Sequence, residues 1–180
     1  MNLEEKQLSA EYKFKGRIIN LRVDEALLPN GATASREIVE HNGGICVVPL
    51  TENNEVLMVE QFRYPYGEVV LEIPAGKRDG NEEPLEGGKR ELREETGATA
   101  ESYTFLGELY PTPGYCGEII YMYLARGLSY GETDPDEDEF LNLKRIPLET
   151  AVDMIMKGEI KDAKTQTAIL KTERMLKNGF

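Results

Sequence analysis

From Pro84 to Thr96 the chain reads as one short helix, with proline in its first turn and Gly97 just past its end. Inside it Glu91, Glu94 and Glu95 stand at i, i+3 and i+4. At about 3.6 residues per turn, that spacing puts three carboxylates on one face. Like charges so placed destabilise a bare helix, and a hard divalent cation held by carboxylate oxygens is the strongest available compensation. Arg90 can relieve part of the repulsion through an i, i+4 pair with Glu94. Taken alone, such a run is also what a solvated charged face looks like.

At 180 residues the chain suits one main domain with a substantial core and is too short for two full-sized ones. Its formal net charge of -12 repels a polynucleotide backbone, and no basic stripe reverses this locally, so nucleic acid is not expected as a partner. An acidic protein still accepts an anionic small molecule when divalent cations lie between its carboxylates and the ligand's phosphates. Cys46 and Cys116 lack metal-ligand spacing and read as a buried core thiol and a loop thiol. No apolar leader and no stretch of membrane-spanning length is evident, which points to a reducing cytoplasm and no membrane partner.

The first third reads as β-structure. Alternation over residues 17–23 and 36–39, separated by Pro29-Asn30-Gly31, suggests hairpin strands. Gly43-Gly44 opens a more buried run through Leu50; Asn53-Asn54 turns into an alternating strand over 55–64, and a short strand over 69–73 ends at Pro74-Ala75-Gly76. After the helix, strands are expected over 104–110 and 118–125, flanking a Pro- and Gly-containing loop, then a strand near 140–146 and helices near 148–157 and 163–177. Interleaved strands and helices make this a mixed α/β (α+β) chain. It divides into an N-terminal antiparallel β-region, 1–42, without an evident core of its own, and a main domain, 43–180. The lone His41, beside Asn42-Gly43-Gly44, belongs with a turn rather than a metal site.

The wider frame around the helix is Gly76-x5-Glu82-x7-Arg90-Glu91-Leu92-x-Glu94-Glu95-x-Gly97, followed by Ala98. A motif of this length with so many fixed positions is far more specific than a lone glycine loop. It matches the box of the Nudix superfamily, and from about Glu11 to Lys177 the chain resembles the bacterial ADP-ribose pyrophosphatases of that superfamily. Three further stretches carry the narrower resemblance. They are Gln61-Phe62-Arg63 with Leu71-Glu72-Ile73-Pro74-Ala75-Gly76; Pro113, sixteen positions past Gly97, in Pro113-Gly114-Tyr115-Cys116-Gly117-Glu118; and Asp136-Glu137-Asp138-Glu139-Phe140 with Gly158-Glu159-Ile160-Lys161-Asp162-Ala163-Lys164-Thr165. Two departures stand out. Gly87-Gly88 replace small helix formers, each costing about 0.5–1 kcal/mol in a helix interior, so loose first turns are expected; and Ala98 is smaller than the usual branched aliphatic.

The resemblance implies a mixed sheet sandwiched between helices and magnesium-dependent hydrolysis of ADP-ribose to AMP and ribose 5-phosphate. Magnesium, with manganese as the alternative, would be present as two or more ions. Glu91, Glu95, Glu139 and the carbonyl of Ala75 are implied as ligands, Glu137 as the base, and Glu94 as a further ligand or the partner of Arg90. Arg63 is a candidate for pairing with phosphate and Glu118 for accepting from ribose hydroxyls, with Pro113 and Gly114 in the element associated with ADP-ribose preference. Arg63 could instead cap a strand edge, and Glu137 could be an ordinary exposed acidic turn. Family precedent implies a homodimer built through the N-terminal strands, where Tyr12 or Phe14 would either stack adenine or pack in a core. The same box serves other nucleoside diphosphate derivatives such as nucleotide sugars. A non-catalytic ADP-ribose-binding regulator is the reading from another class.

Overall fold

A strand buried on both faces organises the larger part of the molecule. The computed structural model describes residues 2–134 and 140–179. Strand β4 (Gly44–Pro49) is buried along its whole length, which is why its sequence is a continuous apolar run rather than an alternating one. Its alternate side chains serve two cores. Ile45 and Val47 pack with Leu57, Leu92, Ala98, Tyr123 and Ala125. Cys46 and Val48 join Val56, Met58, Met122, Leu124, Leu148, Ala151, Ala168 and Ile169. Burial pushes the Cys46 thiol up to about 12, so it behaves as a small core hydrophobe.

The chain divides into two compact units, one running up to Gly43 together with Tyr110–Ile119, the other made of the remainder. In the first, β1 (Lys6–Lys15), β2 (Asn20–Leu27) and β3 (Thr33–Glu40) form an antiparallel sheet in that order. Gly31, at φ 84°, makes the β2–β3 turn, with the Asn30 side chain accepting from the Ala32 amide. The whole of β1 is exposed, Tyr12 and Phe14 included, so neither aromatic packs in a core within this unit. The segment Tyr110–Ile119 joins the edge of β3, where the Val39 amide donates to Tyr115 O (2.8 Å) and the Gly117 amide to Val39 O (2.9 Å).

In the second unit, β7 (Ala75–Lys77), β4, β9 (Ile120–Tyr130) and β8 (Ala98–Leu109) lie in the order β7-β4-β9-β8, with β4 and β9 parallel. A second sheet runs β10-β5-β6, made of β10 (Leu141–Pro147), β5 (Glu55–Arg63) and β6 (Glu68–Glu72). Helix α1 (Pro84–Thr96) brings Leu92 to the Ile45 side of β4. Helices α2 (Leu148–Met156) and α3 (Ala163–Asn178) bring Leu148, Ala151, Ala168 and Ile169 to the Cys46 side. The mixed sheet between helices is thus present, as expected. Among the described residues no helix is long and apolar enough to cross a membrane.

Two local expectations change. Strands β8 and β9 are longer than the apolar stretches suggested, because their outer halves pair at the surface with polar, exposed positions such as Thr99 and Glu101 that give no hydrophobic signal. Gly87 and Gly88 do not loosen α1; both are buried. A Cβ on Gly87 would lie 2.8 Å from Ile45 Cδ1, and one on Gly88 3.2 Å from both Ile45 Cγ2 and Val47 Cγ2. The two glycines leave room for a close approach of the helix to β4.

Candidate active site

Helix α1 begins at Pro84 and is closed by Gly97, whose φ of 68° is the left-handed cap conformation and whose amide donates to Arg93 O. A side chain on Gly97 would also meet Gly131 O at 2.5 Å, so packing and backbone both demand glycine. These fixed ends set the rotation of the carboxylate face. Glu91 and Glu95 are buried, at 7% and 5% exposure, while Glu94 lies nearer the surface.

Arg90 holds this face together more widely than an i, i+4 pair would. Its Nη1 donates to Glu91 Oε1 (2.7 Å) and Glu94 Oε2 (3.1 Å); its Nε and Nη2 each reach Glu82 at 3.2 Å, and Nη2 also reaches Lys77 O. The hydrogen bond from Arg90 holds the Glu82 carboxyl below its ordinary range, and the bond to Glu82 in turn raises the guanidinium pKa against the opposing effect of burial. Glu82 also shapes the loop before the helix, since Arg78 Nη2 donates to its carbonyl at 2.8 Å.

The Pro74-Ala75-Gly76 backbone lies directly against the same carboxylates. The Val47 amide donates to Pro74 O (2.9 Å) and the Ala75 amide to Glu95 Oε2 (3.3 Å). A Cβ on Gly76 would fall 2.0 Å from Glu91 Oε1, so Glu91 occupies the space any larger residue would need. The structure therefore brings Ala75, Arg90, Glu91, Glu94 and Glu95 together. Two buried carboxylates beside a peptide are hard oxygen donors suited to a divalent cation such as magnesium. Among the described residues, no three His, Cys, Asp or Glu side chains form a ready metal cluster by themselves. Glu137 and Glu139, the expected base and fourth ligand, lie outside the described residues.

Arg63, the last residue of β5, is held by a carboxylate. Its Nε and Nη2 donate to Glu72 Oε1 and Oε2 at 2.6 and 2.7 Å. Glu72 is buried and also accepts from Lys164 at the start of α3. Burial works to raise the Glu72 pKa, but the hydrogen bond from Arg63 and the charges of Lys164 and Arg63 outweigh it and hold the carboxyl below its ordinary range. Glu72, Lys164 and Asp162 were not singled out as site residues from sequence. The available signal was a charged residue inside the apolar run Val69-Val70-Leu71-Glu72-Ile73.

The remaining candidates belong to the other unit. Pro113 and Gly114 are exposed on a turn in which Thr112 O accepts from the Tyr115 and Cys116 amides. Glu118 Oε1 lies 3.4 Å from His41 Nδ1, which also accepts from the Gly43 amide at 3.1 Å in the segment that follows β3.

Two families match successive stretches of the chain. Residues 40–167 match the NUDIX domain, and residues 5–39 match the nucleoside diphosphate sugar hydrolase N-terminal domain. The "ADP-ribose pyrophosphatase" of Bacillus subtilis (strain 168) is 42% identical over 170 residues, covering 93% of this chain and 92% of that protein. The "Methanol dehydrogenase activator" of Bacillus methanolicus is 43% identical over 168 residues, covering 92% and 91%. A crystal structure of an ADP compounds hydrolase superposes with a TM-score of 0.87 over 99% of this chain and 98% of that one, at 23% identity, a likeness of fold.

Proposed function

We propose that this chain, which belongs to the NUDIX family and is a NUDIX hydrolase, splits the pyrophosphate bond of ADP-ribose into AMP and ribose 5-phosphate. The observation that carries this reading is the meeting of buried Glu91 and Glu95 with the Ala75-Gly76 backbone. Hydrolases of this family generally depend on a divalent metal, which offsets the charge of the diphosphate and lowers the pKa of water. Magnesium, in two or more ions, is the choice that best suits an all-oxygen donor set.

In this reading Glu91, Glu95, the carbonyl of Ala75 and Glu139 hold the metal. Arg90 fixes the carboxylate face by its bonds to Glu82, Glu91 and Glu94. Glu94 serves as Arg90's partner, and Glu137 takes the proton from the attacking water. Arg63 receives the diphosphate on the guanidinium edge not turned to Glu72. Pro113, Gly114 and Glu118 select the substrate, a role supported by the family resemblance. The N-terminal strands are kept as a dimerisation region, a reading supported by the exposed Leu8, Tyr12 and Phe14. A cytoplasmic setting completes the proposal.

A second reading, hydrolysis of a nucleotide sugar, is favoured by the match of residues 5–39 to an N-terminal domain of sugar-nucleotide hydrolases. A substrate panel separates the two. With magnesium and ADP-ribose, ADP-glucose, GDP-mannose or a nucleoside triphosphate, kcat/KM should favour ADP-ribose by about tenfold or more. Comparable turnover across the panel removes the ADP-ribose assignment, and a preference for GDP-mannose transfers it to the second reading.

A further inference from the structure

Three segments of the second unit meet at Glu72. Arg63 arrives from the end of β5 with two charge-assisted hydrogen bonds, and Lys164 arrives from the first turn of α3 to share Glu72 Oε2. Lys164 is itself steadied by Asp162 Oδ2 at 3.1 Å. The same turn of α3 is tied to the same strand end by a second route. Asp162 caps the helix by accepting from the Thr165 amide (2.9 Å), and Thr165 Oγ1 accepts from the Ile73 amide (3.0 Å) in a fully buried contact. A guanidinium on a flexible stem loses rotamer freedom each time it binds a ligand; one already clamped on its Nε–Nη2 edge has lost it beforehand.

We propose that Glu72, seated by Lys164, is a positioning residue that holds the Arg63 guanidinium ready for a diphosphate, so that the start of α3 tunes substrate affinity. This rests on reading Arg63 as the diphosphate contact. Glu72 and Lys164 act through Arg63, without touching the reacting atoms.

The test combines NMR with kinetics. In the 15N-labelled wild type the Arg63 Nε–H signal should be resolved, slow to exchange and shifted by inorganic pyrophosphate with magnesium. Lys164→Met, the milder variant if Glu72→Gln fails to fold, should lose the slow exchange, and Lys164→Arg should restore it. With ADP-ribose, Glu72→Gln should raise KM about tenfold while kcat changes by less than about threefold. In an Arg63→Gln background, Glu72→Gln should add nothing further. Multiplying KM effects in the double variant, or unchanged KM and exchange in a folded Lys164→Met protein, overturn the proposal. An Arg63 signal that pyrophosphate does not move also overturns it. If wild type leaves ADP-ribose uncleaved while pyrophosphate still shifts a protected Arg63 signal, the proposed substrate falls and the positioning role stands.

Discussion

At Arg90 one guanidinium donates hydrogen bonds to three carboxylates among the described residues, Glu82, Glu91 and Glu94; at Glu72 one carboxylate accepts from a guanidinium and an ammonium. The second cluster is charge-balanced once Asp162 is included beside Lys164. Among the described residues the first is not. Even with Arg93 next to Glu94, the carboxylates of the α1 face, Glu95 among them, outnumber the guanidinium groups described there. A balanced buried cluster is complete in itself and holds its members in place, whereas an anionic one gains from an added cation. Between them the two supply a cation-seeking surface and a posed guanidinium, the two requirements of a metal-bound diphosphate.

Substitution in either cluster tests this contrast. The largest effect is expected from Glu95→Gln, which takes a carboxylate from the anionic cluster: kcat on ADP-ribose should fall about a thousandfold or more, with an unchanged circular dichroism spectrum. Near-normal turnover would mean that Glu95 does not hold the metal. Gly76→Ala comes next. Its methyl must displace the Glu91 carboxylate, and since a shift of about 1 Å can cost about a hundredfold, kcat/KM should drop by that order. Wild-type turnover in that variant would show that the close approach of Glu91 is incidental.

A third effect, on stability rather than turnover, concerns the balanced cluster. The folded pKa of Glu72 lies below its unfolded value, so its stabilisation is present above about pH 4.3 and is lost as pH falls through the folded pKa. Burial lowers the Lys164 pKa, but Asp162 and Glu72 raise it more, to a folded value above the unfolded one. Its contribution is therefore fully present below about pH 10.4 and is lost as pH rises through the folded pKa. Urea unfolding should show wild type exceeding Glu72→Gln by about 3 kcal/mol between about pH 5 and 9, with the gap narrowing toward acid and alkali. A gap that persists in strong acid would mean that shape rather than charge holds the cluster.

The box helix was the most legible element because its signals are local. Pro84 and Gly97 mark its ends, and the i, i+3, i+4 spacing alone puts Glu91, Glu94 and Glu95 on one face. Gly87 and Gly88 show the limit of such reasoning. Their intrinsic helix cost pointed to loose turns, yet they are buried against Ile45 and Val47, a contact made some forty residues up the chain. Arg63 shows it again: the sequence offered a phosphate contact or a strand cap, and the fold supplied Glu72 and, from far along the chain, Lys164. The outer halves of β8 and β9 were missed because exposed polar pairing carries no apolar period.

Spacing by itself therefore determined the carboxylate face, the glycine that ends the helix and the family to which the chain belongs. Long-range contacts, by contrast, put Glu91 in the space beside Gly76 and Glu95 against the Ala75 amide. They also clamp Arg63. Helix periodicity is written within a few consecutive residues, whereas these contacts depend on which distant segments the two cores around β4 pull together.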